Sequence, residues 1–298
     1  MSILPRLTCA PSKWAGALAV TALALCLAQP AARAGQGPKS VPPFLDIFRA
    51  KDPEIVSRTV RIASAAGEVS AYLARQDKPG ALPAVLLLHD EGGLSPWMKE
   101  NARELAGIGF VVLALNLEKH VPPPGKTLDP AQVLDDEPVL AKLGAAVRWL
   151  RRQDDILPDR IGVVGWSCGG SQALALAATT PLQACVFCYC PLSTRADLLA
   201  GLHGVALLGI YPDKGITLRD FQKALTKAHI PHQVRAYPGT RPGFMTPSRV
   251  GVYAFEPAEE AWYEIYEFLG KAVEDARSNP PPATLNHSPA TFFKESPP

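Results

Sequence analysis

The sequence predicts an α/β fold: a mainly parallel, doubly wound sheet with helices on both faces and a hairpin at its N-terminal edge. Five near-continuous apolar runs, Ala84–Leu88, Phe110–Leu115, Ile161–Val164, Ala184–Tyr189 and Val205–Tyr211, have the character of strands covered on both sides. Longer stretches of helical periodicity separate them: Trp97–Ala106, Ala131–Arg152, Gly169–Ala178 and Leu218–Ala228. Strands that alternate with helices are joined by right-handed crossovers, which set them parallel with helices on both faces.

Taken in chain order, residues 1–34 come first and read as a signal peptide. Arg6 and Lys13 precede an apolar stretch from Ala15 to Ala28, and Ala32-Arg33-Ala34 supplies small residues at a cleavage point before Gly35. The apolar stretch is shorter than the roughly 20 residues of a membrane span. A lipoprotein reading of Cys26 is disfavoured by the bulky Leu25 before it. The periplasm or the cell exterior is the expected place, with no stable membrane association after cleavage.

Removing three basic residues with the signal takes 30 Lys and Arg against 28 Asp and Glu to 27 against 28. Such balance points to no nucleic-acid partner and no anionic membrane. Residues 35–55, rich in Pro, Gly and Lys, form a lead-in arm, and residues 56–277 are long enough to bury one large core. Within that domain Thr59–Ile62 and Val69–Leu73 alternate apolar and polar residues around Ala66-Gly67, which is a hairpin pattern. Gln233–Tyr237 supplies a last strand and Glu256–Glu274 a closing helix. Residues 278–298 are Pro-rich and are expected to be a flexible tail.

The chemistry-bearing stretch is Gly165-Trp166-Ser167-Cys168-Gly169, a G-x-S-x-G between an apolar strand and a helix. Such a turn leaves no room for side chains two positions either side of its central residue. With Cys168 at the centre, Trp166 would fill one of those positions, so the spacing assigns the centre to Ser167. A glycine-rich turn used for packing or phosphate binding is the alternative.

From about Thr59 to Val273 the chain resembles the dienelactone hydrolase family of α/β hydrolases. "VLLLHDEGGLSPWMKENARELAGIGFVVLALNL" is similar to the family's first motif and "GWSCGGSQAL" to its elbow. That family commonly places cysteine in the slot that Ser167 fills here. The resemblance implies hydrolysis of a small ester or lactone through an acyl-serine, with no cofactor and no metal. It implies oxyanion donors in the backbone N–H of Cys168 and of Glu91, and it sets Asp90, next to His89, where the family has a glutamate holding the resting nucleophile. Asp90 and Glu91 read equally well as solvated loop charges. Asp213, at the end of Val205–Tyr211, stands in the place of the triad acid, although an aspartate beside Pro212 is also a common turn former.

The resemblance fails at the histidine. The family writes roughly Y-P-G-x-x-H-G-F where this chain has Tyr237-Pro238-Gly239-Thr240-Arg241-Pro242-Gly243-Phe244. Proline cannot carry a proton, so another base is required. His203, His229 and His232 belong to the opposite sheet edge and His287 to the tail, leaving His89, expected to be structural, and His120 as a possible surrogate. A hydrolase-like protein that binds a ligand without turnover is the alternative from another class.

Four cysteines follow the signal. Strand alternation puts Cys188 and Cys190 on one face and Cys185 on the other, against a shared metal. Burial in the core is the default for these thiols, with a Cys168–Cys190 disulfide and a redox-active Cys168 of lowered pKa as the alternatives. Trp166, Tyr211 and Phe244 are expected either to line an apolar pocket near the elbow or to be core aromatics.

Overall fold

The computed structural model describes residues 54–123, 126–213 and 215–278. The expected signal, almost all of the lead-in arm and the tail beyond Ser278 lie outside them. The strands are β1 (Ile55–Ile62), β2 (Val69–Gln76), β3 (Leu82–Leu88), β4 (Val111–Leu115), β5 (Ile156–Trp166), β6 (Ala184–Cys188), β7 (Ala206–Tyr211) and β8 (His232–Ala236). They form one sheet in the order β1-β2-β4-β3-β5-β6-β7-β8. The hairpin β1–β2 is antiparallel and packs antiparallel on β4, while β3 to β8 are mutually parallel. Ile55, assigned to the arm from sequence, already pairs with Gln76, so the hairpin starts earlier than the alternation alone shows.

Helices cover both faces: α1 (Pro96–Gly107), α2 (Pro130–Leu134), α3 (Glu137–Arg151), α4 (Cys168–Thr179), α5 (Ala196–Gly201), α6 (Ile216–Lys227) and α7 (Phe255–Ser278). α1 begins where Ser95 accepts the Met98 N–H at 3.3 Å and Pro96 needs no acceptor. Its buried residues Met98, Ala102, Leu105 and Ala106 recur on one stripe, which packs with Trp262 and Ile265 of α7 on one face of the sheet. Leu143, Leu174, Leu198 and Phe221, from α3 to α6, pack on the other face. Alternate residues of β3 feed the two cores, Leu86 and Leu88 one and Val85 and Leu87 the other. Each fully buried leucine contributes about 2 kcal/mol.

The single helix expected over Ala131–Arg152 is two. Asp136 accepts the Val139 N–H at 3.1 Å, and Pro138, in the first turn of α3, could not sit inside a continuous helix without losing a hydrogen bond. The six-residue α5 was not anticipated, being too short to show a period.

The strand order places the site. After β3 the chain moves outward to β4, whereas after β5 it moves the other way to β6. Two neighbouring parallel strands whose connections diverge leave a crevice at their carboxyl ends, the usual place for a ligand in such sheets.

Candidate active site

Ser167 stands in that crevice, between β5 and α4, with φ 52° and ψ −118°. This conformation costs a non-glycine residue on the order of 1–3 kcal/mol and is held by its surroundings. A Cβ on Gly165 would lie 2.0 Å from Gly169 O, and one on Gly169 would lie 2.2 Å from Leu88 O. Both glycines are therefore sterically required. Trp166 points into the core, 5.6 Å from Trp97 and 5.4 Å from Trp262 between ring centroids.

The loop after β3 lies across the crevice. Ser167 Oγ donates to Glu91 Oε1 at 2.5 Å, and Arg249 Nη2 donates to Glu91 Oε2 at 2.8 Å. The same nitrogen donates to Asp90 Oδ2 at 2.8 Å. Asp90, 4% exposed, also accepts the Gly92 N–H at 2.9 Å and the Thr246 hydroxyl at 3.4 Å. The carboxylate on the resting serine is thus that of Glu91 and not of Asp90. Asp90 turns inward and is committed to its own turn and to Arg249. Burial alone would raise the Glu91 carboxyl, but the Ser167 hydroxyl, the residue's own N–H and Arg249 outweigh it and hold it below its usual range.

Arg249 had no part in the sequence reading. Its side chain runs over Gly243, whose φ is 95° and whose missing Cβ would lie 2.6 Å from Arg249 Cδ. The signal that could have pointed to it is the Asp90-Glu91 pair itself, since two like charges brought close beside an elbow are eased by a nearby cation.

Neither candidate histidine is bonded to Ser167. His89 Nε2 accepts the Leu117 N–H at 2.9 Å, so the proton is on Nδ1, which donates to Asp90 O at 2.7 Å. Both ring nitrogens hold loops in place. His120 closes a single 3₁₀ turn, Glu118–His120, and its Nε2 lies 2.8 Å from Lys142 Nζ. An ammonium can only donate, so that nitrogen is an occupied acceptor. Burial and then Lys142 lower the His120 pKa below its usual value.

The thiols are packed in the core, and neither alternative reading of them holds. Cys168, Cys185, Cys188 and Cys190 are all free and buried, so the Cys168–Cys190 disulfide is not formed. Cys168 Sγ turns to His89 O at 3.7 Å and Cys190 Sγ to the Tyr211 hydroxyl at 3.5 Å. Burial, followed by the charges of Glu91 and Asp90, pushes the Cys168 thiol far up, the reverse of an activated redox cysteine. Cys190 shares a core with Cys185 and not with Cys188, because β6 ends at Cys188 and Tyr189, with φ 40°, breaks the alternation. No group of three metal-ligating side chains occurs among the described residues.

Asp213 lies beyond β7 and is exposed, and Pro242 lies beyond β8. Both line one cleft of about 410 Å³, together with Tyr211. The position read as the triad acid and the proline in the histidine's place therefore border one cleft. Trp166 and Phe244 are wholly buried core residues, and of the three aromatics only Tyr211 borders the cleft.

The family model of the dienelactone hydrolase family matches residues 69–273. A Bradyrhizobium protein named "Probable 2-oxo-3-(5-oxofuran-2-ylidene)propanoate lactonase" is 39% identical over 118 residues, 37% of this chain and only 46% of that protein. A Synechocystis "Putative carboxymethylenebutenolidase" is 24% identical over 242 residues, 72% of this chain and 97% of that one. The crystal structure of a Klebsiella pneumoniae protein titled as a putative dienelactone hydrolase superposes with a TM-score of 0.63 at 23% identity, covering 73% of this chain and 99% of that chain.

Proposed function

Because the chain belongs to the dienelactone hydrolase family, we propose that it hydrolyses small esters or lactones with Ser167 as nucleophile and the Glu91 carboxylate as base. The observation that carries this reading is the 2.5 Å hydrogen bond from Ser167 Oγ to Glu91 Oε1 at a left-handed elbow. Ser167 Oγ attacks the carbonyl carbon while its proton passes to Glu91. Cys168 opens α4, so its N–H has no acceptor within the helix and meets the oxyanion. The second donor in this reading is the Glu91 N–H of the β3 loop, which the residue's own carboxylate gives up as it takes the serine proton. Collapse expels the alcohol, protonated by Glu91, and leaves an acyl-serine. Water then adds, giving a proton to Glu91, and the acid departs as Ser167 regains that proton.

A carboxylate held low is ionised at neutral pH yet weakly basic, so turnover is expected to be slow. Its acid limb falls below 4.5, the ordinary glutamate value, whereas an imidazole base would lose activity near 6.5. A fluorophosphonate should label Ser167. Glu91→Gln should lower kcat by about 100-fold or more, with His120→Ala near wild type. Folded protein that takes no label and turns over no ester would favour ligand binding without turnover, the reading that Pro242 supports. An acid limb that vanishes in His120→Ala would move the base to that residue.

Export rests on the charged, apolar and small-residue zones of residues 1–34. Protein recovered from a bacterial periplasm should begin at Gly35. An intact Met1 terminus on cytosolic protein would overturn that expectation.

A further inference from the structure

The cleft at the carboxyl ends of β6 and β7 takes no part in the reaction just described. Its lining includes Pro191, Leu192, Pro212, Leu218 and Pro242. Tyr211 commits its hydroxyl to Cys190 O at 2.8 Å and so adds a ring without a spare polar group. About 410 Å³ is within the range of small-molecule sites, and a mostly carbon surface suits a hydrocarbon group.

The cleft also lies beside the elbow. Ser167 N–H donates to Cys188 O, the end of β6, at 2.9 Å, and the next residue, Tyr189, is a wall of the cleft. Adjacent strands lie roughly 5 Å apart, so this wall starts one strand from the nucleophile. Charge narrows the choice of occupant. Asp90 and Glu91, at the elbow beside the cleft, share the guanidinium of Arg249, so an anionic group meets a net negative field there.

We propose that this cleft is the subsite for an uncharged apolar group of the substrate, a small aryl or branched alkyl group, and that Pro242 opens it by standing where the family has an imidazole. The inference deepens the hydrolase reading, and a binding measurement tests it separately. In Ser167→Ala protein, 4-fluoroacetophenone should bind, followed by its ¹⁹F line width, and 4-acetylbenzoate should bind more weakly.

Thr217 lines the cleft and is exposed, so Thr217→Trp fills it without disturbing the core. That change should weaken ketone binding roughly ten-fold. It should also lower kcat/KM for phenyl acetate relative to methyl acetate if the alcohol occupies the cleft, or for methyl benzoate relative to methyl acetate if the acyl group does. Leu192→Asp, a second and half-buried wall position, should act in the same direction. Turnover and ketone binding unchanged in both variants would overturn the subsite while leaving Ser167 as nucleophile. Ketone binding that responds to Thr217→Trp in a protein with no ester turnover would keep the subsite and sink the hydrolase reading.

Discussion

The carboxyl ends of β3 and β5 and those of β7 and β8 share one edge of the sheet, and the chain has built them differently. At the first pair, Ser167, Glu91, Arg249 and Asp90 form a chain of hydrogen bonds between 2.5 and 2.8 Å at a strained elbow. At the second, Asp213 and Pro242 line an open, largely apolar cleft. The carboxylate that Ser167 bonds thus comes from the loop after β3 and not from the loop after β8. On the proposed reading the base has moved across the crevice from the loop after the last strand, as loops at the carboxyl edge of such a sheet can converge on one switch point.

Breaking the first corner should have the largest effect. Gly165→Ala drives a methyl group to 2.0 Å from a backbone oxygen, and backbone cannot yield as a side chain can. A loss of about 3 kcal/mol or more is expected, read from denaturant midpoints, together with loss of Ser167 labelling.

Filling the second corner should follow in size. Pro242→His puts an imidazole beside Asp213, and esterase kcat should rise by about 100-fold with a new acid limb near 6.5. Adding Asp213→Asn should cancel most of that gain while changing the wild-type rate little. A Pro242→His enzyme with unchanged rate and pH profile would mean that the cleft does not face Ser167.

Cutting the cation from the first corner is a smaller perturbation. Arg249→Ala leaves Asp90, whose side chain is 5% exposed, with only the Gly92 N–H and the Thr246 hydroxyl. Because Arg249 is itself 35% exposed, the cost should be about 2 kcal/mol, between the values for surface and buried pairs. Thermal unfolding of the variant checks it.

The smallest effect is a pH slope. The Glu91 carboxyl titrates lower in the folded chain than its ordinary 4.5, so its stabilisation is fully present above 4.5 and is lost as pH falls through the lowered value. Tm measured against pH should show this slope in the wild type, and Glu91→Gln should flatten it.

What could be read directly was whatever depends on near neighbours in the chain. The period of the apolar runs predicts the doubly wound sheet, because a strand covered on both faces must be apolar throughout. The spacing of Gly165 and Gly169 centres the elbow on Ser167; at Gly165 the clash that demands glycine is with Gly169, four residues on, whereas at Gly169 it is with the Leu88 backbone of β3. Pro242 as a missing imidazole was visible only through the resemblance to the family's Y-P-G-x-x-H-G-F stretch. Where local chemistry competes with a period, the reading went astray: Asp136 and Pro138 split a helix that its apolar pattern made continuous.

Tertiary structure alone decided the rest. Which of Asp90 and Glu91 faces Ser167 depends on the turn that commits Asp90 to Gly92 and Gly93, and on Arg249, 158 residues further along the chain. The side to which Cys190 points was settled by one positive φ at Tyr189, after the strand that made alternation a valid rule had ended. Side-chain direction at a strand end, and the pairing of charges distant in sequence, are set by the fold as a whole; no local pattern encodes them.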